Sequence, residues 1–423
     1  MARPFLYHIH DSDLFDGKAD FESIEKKVPI NQSPNPKKLL ESKKFYSLKR
    51  DLAALRKKGA AKNICDASVT EIGKSLKGRE LLAIKLGRNP DHKVLFVGCH
   101  HAREWISVEL PYYLAEYLIE NFDDNPTDDK GRRIKHLLVN REIWIVPMLN
   151  ADGHTRTHEE DRLWRPNLRE LVFDVATKIE VAKNKKRTIT VAPGTYTGVD
   201  INRNYPTKTW GQETYRPGSD RRATSRDPAE GGSNSIFCGV SLDSSDPAAG
   251  PDVEPEPRAL TDLMQAQKFK ACMSFHSFSQ EYIMPNEVKS DPFLQDHADG
   301  VKELLGRAEK ELNKHYKVSR SEEFLYTTTG DQMDMYAEIS PKRPTYTPEL
   351  RPDQGAPDLT IFSGLPEAEI EPCFKENLRS MLSMINVAPF AEKAKRVTAT
   401  ASDSAPVAQV VGNSWKVFLD WKA

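Results

Sequence analysis

Two residue types that commonly bind transition metals stand three positions apart in the segment GCHHAREW at residues 98–105. His101 and Glu104 can reach one cation from a single helical turn, because residues three apart share a helix face. Zinc accepts imidazole nitrogen and carboxylate oxygen, and catalytic zinc sites keep three protein ligands with one position open to water. The same spacing is also typical of a surface pair at a helix start, and His100 is an alternative ligand.

A third ligand must come from elsewhere in the chain, and His276 is the best candidate. It follows the apolar run ACMSF at 271–275, and it lies 172 residues beyond Glu104. Ligands of open α/β sheets bind at the carboxyl ends of the strands, which would bring His276 towards residues 98–105. A single histidine after an apolar run otherwise has a structural role.

A second pair of histidines, His154 and His158, deserves comparison. The zinc-protease pattern His-Glu-x-x-His requires a glutamate directly after the first histidine, and Thr155 stands there instead. The pair follows the turn signal Asp152-Gly153 in a polar segment. We therefore interpret His154 and His158 as part of a solvated loop.

The elements around these residues alternate between short apolar runs and amphipathic segments. Apolar runs bounded by turn signals predict buried strands, and apolar residues at helical spacing predict helices. This order is typical of a sheet covered by helices on both faces. The predicted strands are at 94–99, 142–149 and 271–275, and the predicted helices are at 47–59, 110–118, 255–267, 300–314 and 371–386.

Composition excludes several function classes. The 423 residues include 61 Lys and Arg against 62 Asp and Glu, and a net charge of −1 argues against a nucleic-acid partner. The sequence contains no run of about 18 apolar residues, so it predicts no membrane-spanning helix. The five cysteines are far apart and form no disulfide framework or zinc-finger pattern. The first residues show no signal peptide, so we expect a cytoplasmic location.

Several short motifs follow the His-x-x-Glu segment in a fixed order. The motifs are LWR at 163–165, GVDINRN at 198–204, SFHS at 274–277, a tyrosine at 326 and TPELR at 347–351. With HAREW, this series resembles the zinc metallocarboxypeptidases of the carboxypeptidase A/B, or funnelin, family. The resemblance implies a three-layer α/β/α sandwich with a mixed, mostly parallel central sheet.

The resemblance also divides the chain. It implies a catalytic domain over 44–390, preceded by an irregular extension at 1–43 and followed by a linker and a short C-terminal extension at 391–423. A basic stretch at 181–189 makes the segment before Asn202 longer than in the digestive members of the family, and we interpret it as a solvated loop. No folded activation domain is expected, because 43 residues are too few.

The family match implies a metal site and the groups that act beside it. His101, Glu104 and His276 would bind one zinc ion per chain, and Asp200 would hold the ring of His101 from behind. Glu349 would be the general base and acid of peptide-bond hydrolysis.

The match also implies how a substrate is held. Arg165 would stabilise the developing oxyanion. Arg203 with Asn202 would bind the terminal carboxylate, because a guanidinium group fits a carboxylate through two hydrogen bonds. Tyr326 would close over the substrate, and Arg103 would help to guide it.

Specificity rests on fewer residues. In the family, one residue largely determines which C-terminal side chain of the substrate the pocket accepts. The ungapped match puts Met333 at that position, which implies an apolar pocket. Asp331 and Glu287 would instead admit basic ends, so a broad or dual preference stays open.

Two other functions remain as alternatives. One is a zinc amidohydrolase of the same fold that acts on peptidoglycan stem peptides or acylated amino acids. The other is a non-catalytic binding module, which typically loses a metal ligand or the catalytic glutamate, whereas both are present here. The expected partner is a peptide or protein with a free C-terminal carboxylate, and we expect a monomer.

Overall fold

The computed structural model describes most of the chain between residues 45 and 389 and a short segment near the C-terminus. The described residues are 45–64, 67–162, 164–173, 177–180, 188–191, 194–207, 253–285, 288, 290–312, 316–321, 330–353, 367–389 and 416–418.

Strands and helices alternate along much of this chain. The strands are β1 (Ser68–Lys74), β2 (Glu80–Gly87), β3 (Lys93–Val97), β4 (Glu142–Val146), β5 (Glu170–Phe173), β6 (Thr177–Glu180), β7 (Thr188–Val191), β8 (Gly194–Thr197), β9 (Ala271–Ser274), β10 (His276–Ser279), β11 (Glu281–Met284), β12 (Lys317–Arg320) and β13 (Thr345–Asp353). The α-helices are α1 (Phe45–Ala61), α2 (Ile106–Glu120), α3 (Asp129–Asn140), α4 (Ala151–Glu159), α5 (Pro255–Gln267), α6 (Pro292–Leu312), α7 (Gln332–Ile339) and α8 (Ile370–Val387). Short 3₁₀ helices lie at Ile201–Arg203, Glu367–Glu369 and Lys416–Phe418.

A nine-stranded mixed sheet carries the site. Its order is β1-β2-β4-β3-β9-β13-β11-β12, and β10 pairs with β13. The pairs β3–β4, β3–β9 and β9–β13 are parallel, whereas the strands at the β1–β2 edge are antiparallel. Helices flank this sheet, with α8 packed between α2 and α6, and α5 packed against α7. The predicted α/β fold with a mixed, mostly parallel sheet is confirmed.

The central strands are buried because their sequences are apolar on both faces. Every residue of β3 from Val94 to Val97 is fully buried, as are Ile143 and Ile145 of β4. Strands of this kind belong in the middle of a sheet that is covered on both sides. The predicted run 94–99 ends early, at Val97, since Gly98 and Cys99 form the turn that follows.

The predicted and observed helix boundaries agree for one helix and differ for another. Helix α5 coincides with the predicted 255–267, but α6 begins at Pro292 rather than at residue 300. Asp291 explains the difference, because its carboxylate accepts the backbone N–H groups of Phe293 and Leu294 and so satisfies two donors at the helix start.

The interpretation of residues 154–158 as a solvated loop is wrong. They lie in α4, which starts where the Asn150 side chain accepts the N–H of Gly153 at 3.0 Å. His154 is fully buried and bonds through Nδ1 to the carbonyl of Ala102 at 3.0 Å. Asp152 and Gly153 lie in the first turn of this helix. A rule based on the Asp-Gly pair alone cannot distinguish the first turn of a helix from a turn in a loop.

The long stretch before Asn202 contains two small antiparallel pairs, β5 with β8 and β6 with β7. Residues 181–187 of the basic stretch lie outside the described residues. Residues 1–43, and the linker at 391–415, also lie outside them, so the domain boundaries stay predictions. Phe418 is buried in the core, and its 3₁₀ helix contacts α8.

A buried ion pair joins the strand that carries Glu349 to helix α8. Arg351 donates through Nε to the carboxylate of Glu376 at 2.9 Å, and Glu376 is fully buried. We expect Glu376→Gln to lower the free energy of unfolding by about 3 kcal/mol, because Arg351 then loses its fully buried partner and keeps only the part-exposed carboxylate of Glu369. Urea unfolding followed by circular dichroism measures this. The exposed Glu371 on the same helix pairs with Lys375, and Glu371→Gln should stay within about 0.5 kcal/mol of the wild type. Equal effects of the two variants would contradict the argument.

Candidate metal centre and substrate site

The turn after β3 depends on two residues, Gly98, where there is no room for a side chain, and Cys99, which has a left-handed backbone conformation. A Cβ atom at Gly98 would lie 2.0 Å from the carbonyl oxygen of Ser107, so only glycine fits there. Cys99 has a φ of 58°, the left-handed region that is costly for a side chain. The N–H of Asn150 donates to the carbonyl of Cys99 at 2.8 Å and holds this turn. His101 is thereby directed to the carboxyl edge of the sheet.

Three potential metal ligands converge at this edge. Nδ1 of His101 lies 2.7 Å from Oε1 of Glu104, and Nδ1 of His276 lies 3.1 Å from Oε2 of the same carboxylate. The two Nδ1 atoms are 3.0 Å apart. All three side chains are buried, and their ligand atoms lie within 4.8 Å of one another. Two imidazole nitrogens and one carboxylate form a donor set that zinc accepts, so these residues fit the predicted metal.

Asp200 holds the far side of the His101 ring. Its Oδ1 lies 3.2 Å from His101 Nε2 and accepts the N–H of Asn202 at 2.9 Å. Burial raises the pKa of the Asp200 carboxyl, but the charge of Arg165 is the largest opposing cause and the pKa ends well below its usual range. A carboxylate at Nε2 retains the ring proton there and leaves Nδ1 bare for a cation.

The charge of the site is set by burial and by its neighbours. Burial raises the pKa of Glu104, but the adjacent imidazoles outweigh it, so the pKa is lowered and the group stays a carboxylate. Burial is also the largest cause that lowers the pKa of His276 below its usual value. A neutral imidazole and an ionised carboxylate are the forms that bind metal.

Glu349 is brought to the site by strand register. In the parallel pair of β10 and β13, its Cα is the partner of His276, and on the other side of β13 it faces Glu281 of β11. Glu349 is half-buried, whereas the metal ligands are buried. The register therefore puts the backbone of Glu349 next to that of a member of the metal group, as we call His101, Glu104 and His276, at a position that is partly exposed.

Arg165 lies within the metal group. Its Nε donates to Oδ2 of Asp200 at 3.2 Å, and its Nη1 lies 3.5 Å from Oε1 of Glu104. The guanidinium is therefore fixed by two carboxylates. Its role as an oxyanion donor stays a prediction.

Asn202 and Arg203 form a buried turn directly after Asp200. The Nη1 of Arg203 donates to the carbonyl of Asn202 at 2.8 Å. The Nδ2 of Asn202 lies 3.4 Å from Nε2 of His276, which connects this turn to the metal group. Asn202 therefore contacts a potential metal ligand, and Arg203 follows it in the same turn, while the carboxylate-binding role of both stays a prediction.

Arg103 is half-buried, and its carbonyl accepts Nη1 of Arg162 at 2.8 Å. The Arg162 guanidinium lies 3.7 Å from the centroid of the Trp105 ring, and burial together with the charge of Arg103 lowers the pKa of Arg162 to about 9. The sequence did not single out Arg162, whose guanidinium packs against Trp105 beside the predicted Arg103.

The residues predicted to contact the C-terminal side chain are partly described. Met333 is buried at the start of α7, 3.8 Å from Oγ1 of Thr347. The carboxylate of Asp331 accepts the N–H of Asp334 at 2.8 Å and so caps this helix. Tyr326 and Glu287 lie outside the described residues.

The alternative ligand His100 is not part of the metal group. Its Nε2 lies 2.8 Å from the hydroxyl of Tyr205, and its Nδ1 lies 3.2 Å from Oγ of Ser274. Burial is the largest cause that holds the pKa of His100 well below its usual value. Two adjacent histidines look alike in a sequence, and only the turn at Cys99 decides which of them reaches Glu104.

Comparison with known proteins relates this arrangement to one family. The family model for zinc carboxypeptidases matches residues 58–380. Carboxypeptidase O of Bos taurus is 27% identical over 328 residues, which cover 74% of this chain and 71% of that protein. Metallocarboxypeptidase A of Trichophyton rubrum is 24% identical over 322 residues, which cover 74% of this chain and 64% of that protein. The matched region thus spans about two thirds of the length of these relatives.

One solved structure shows the same fold. Thrombin activatable fibrinolysis inhibitor superimposes with a TM-score of 0.61 at 20% identity, covering 87% of this chain and 80% of that one.

Among the described helices, none combines the length and the apolarity needed to cross a bilayer.

Proposed function

Because the chain belongs to the zinc carboxypeptidase family, whose model matches residues 58–380, we propose that it binds one zinc ion and removes the C-terminal residue of peptides. The predicted class, a metallocarboxypeptidase, is confirmed at the level of the family. The observation that carries the proposal is the convergence of His101, Glu104 and His276 beside the Asn202-Arg203 turn. The cytoplasmic location and the monomeric state stay predictions.

His101, Glu104 and His276 would hold the zinc ion. When bound, zinc supplies Lewis acidity, which polarises a carbonyl group and makes water a stronger nucleophile at neutral pH. The protein's own part is to hold two bare imidazole nitrogens and a carboxylate in place before the ion arrives. Asp200 supports this by retaining the proton on Nε2 of His101.

Glu349 would move the proton. A carboxylate within reach of the attacking water accepts its proton and then returns it to the nitrogen of the leaving amine. The position of Glu349 opposite His276 in the β10–β13 pair supports this role. Arg165, which Asp200 and Glu104 hold in place, would present its guanidinium to the negative charge that develops on the carbonyl oxygen.

Arg203 would select the chain end by pairing with its carboxylate. We expect Arg203→Leu to lower kcat/KM for a peptide with a free C-terminal carboxylate by about 30-fold or more, since losing one partner of a buried charge pair costs about 2–5 kcal/mol. The same peptide as its C-terminal amide should be cleaved slowly and equally by both enzymes. Arg258 is exposed on α5, and Arg258→Leu is the matched control. An equal loss on the amide would show that Arg203 does not read the carboxylate.

Met333 would line the pocket for the C-terminal side chain. It lies between Thr347 of β13 and the Asn202 turn, because the N–H of its neighbour Gln332 donates to Oδ1 of Asn202 at 3.0 Å. The carboxylate of Asp331 would otherwise attract a basic C-terminal side chain of the substrate, but it accepts the N–H of Asp334 as a helix cap. These contacts support an apolar pocket.

Blocked dipeptides test the pocket directly. We expect kcat/KM to be about 100-fold higher for dipeptides that end in Phe or Leu than for those that end in Arg, since a buried unpaired charge costs several kcal/mol. Met333→Asp should reverse the order by supplying a partner for the guanidinium. A wild-type enzyme that prefers Arg would overturn the apolar pocket, whereas it would leave the proposed reaction in place.

A further inference from the structure

A row of buried polar side chains leads from the metal group into the core. Oγ of Ser274 lies 3.4 Å from Nε2 of His276 and 3.2 Å from Nδ1 of His100. Nε2 of His100 lies 2.8 Å from the hydroxyl of Tyr205. The rings of His100 and His276 stack with their centroids 5.2 Å apart. All four side chains are at most 1% exposed, so water does not compete for these contacts.

The proton of His276 has only one useful position. A neutral imidazole carries one N–H, and the ring nitrogen that faces a metal ion must be bare. Nδ1 of His276 faces Glu104 and His101, so its proton has to stand on Nε2. That proton needs an acceptor, because a buried donor without one is costly.

Two groups neighbour Nε2 of His276, and they favour opposite positions of the proton. Oδ1 of Asn202 accepts the N–H of Gln332 at 3.0 Å, so the amide nitrogen of Asn202 faces His276 at 3.4 Å. An amide donor there favours a bare Nε2, which would leave the proton on Nδ1. The hydroxyl of Ser274 can accept the Nε2 proton only if its own hydrogen points elsewhere.

His100 supplies the place where that hydrogen can point. When Ser274 donates to Nδ1 of His100, its oxygen is available to accept from His276, and His100 then donates through Nε2 to Tyr205. The reversed direction would have Ser274 donate to His276 and would put the His276 proton on the metal side. We propose that His100 is a positioning residue that, through Ser274, fixes the proton of His276 on Nε2 and so prepares Nδ1 for the metal ion.

This inference rests on the proposed metal site, and zinc affinity tests it without reference to activity. We expect His100→Leu and Ser274→Ala each to weaken zinc binding by the folded apoprotein by about 10- to 100-fold, the usual effect of losing a group that orients a ligand. Competition with a chromophoric chelator gives the dissociation constant, and urea unfolding of the apoprotein gives stability separately.

Two further variants distinguish a chain of hydrogen bonds from a packing effect. The double variant His100→Leu/Ser274→Ala should bind zinc no more weakly than the weaker single variant, because both remove the same connection. His100→Asn places an amide oxygen near the position of Nδ1, so it should restore affinity towards the wild type.

The matched control is His297, a buried histidine on α6 whose Nδ1 lies 2.9 Å from the hydroxyl of Tyr346. His297→Leu should lower stability and leave zinc affinity unchanged. Unchanged zinc affinity in His100→Leu, additive losses in the double variant, or failure of His100→Asn to restore binding would each overturn the role of His100. A wild-type apoprotein that binds no zinc would overturn the proposed function itself, which is a separate outcome.

Discussion

Replacing Glu349 by glutamine lowers kcat by about 10²- to 10⁴-fold, the range in which a positioned general base contributes. Glutamine keeps the size of the side chain but cannot take a proton from water at neutral pH. Because Glu349 is not among the metal-facing residues, the variant should bind zinc as the wild type does. Steady-state kinetics on a blocked dipeptide, with metal analysis of the same preparation, measures both quantities.

Glu303 provides the control for this substitution, since it is exposed on α6 and remote in sequence from the site motifs. Glu303→Gln should retain full turnover. If Glu349→Gln kept wild-type kcat with zinc bound, then another group would be the base, and Glu349 would lose its assigned role.

Removal of zinc abolishes activity, and adding back one equivalent restores it. The reason is that Arg165 and Glu349, in their proposed roles, would act on a carbonyl and a water that are not activated without the ion. Zinc also binds only the folded chain, so a free concentration of 100 times Kd should stabilise the protein by about 2.7 kcal/mol. Activity and thermal unfolding of the chelated and reloaded protein measure the two effects.

Ligand variants make the metal prediction specific to the site. Glu104→Gln should reduce bound zinc below one per chain, whereas Glu142→Gln should not, although Glu142 is also a buried glutamate at a strand start. Full activity at saturating chelator would contradict metal catalysis. Zinc retained in Glu104→Gln would contradict the ligand set.

Sequence reasoning succeeded where one physical signal dominates. The apolar runs of β3, β4 and β9 have no other stable position than the middle of a covered sheet, and all three are buried strands. The carboxyl-end rule predicted that His276 lies near residues 98–105, and the pairing of β3 with β9 brings it to His101 despite the long separation along the chain.

It failed where local patterns are ambiguous. His154 was interpreted as solvated because the pair Asp152-Gly153 resembles a turn, but the cap at Asn150 makes it the start of a helix. The cap of α7 by Asp331 was missed as well, whereas the possible part of Asp331 in specificity stays a prediction. Both caps depend on a side chain that bonds to backbone three residues away, which apolar periodicity does not detect.

The adjacent histidines show what a local window leaves undecided, although the wider series of motifs favoured His101 and the structure agrees. Nothing in GCHHAREW distinguishes His100 from His101, because the choice is made by the left-handed turn at Cys99 and by partners such as Tyr205, which lies 105 residues away. Contacts of this separation are decided by the folded sheet, so they cannot be obtained from a local window.

The order of the three potential ligands along the chain also sets when their site can form during synthesis. His101 and Glu104 emerge from the ribosome long before β9 delivers His276, and Glu349 follows still later on β13. A nascent chain therefore cannot assemble the three ligands until β9 has been translated, and the predicted base is added only after that.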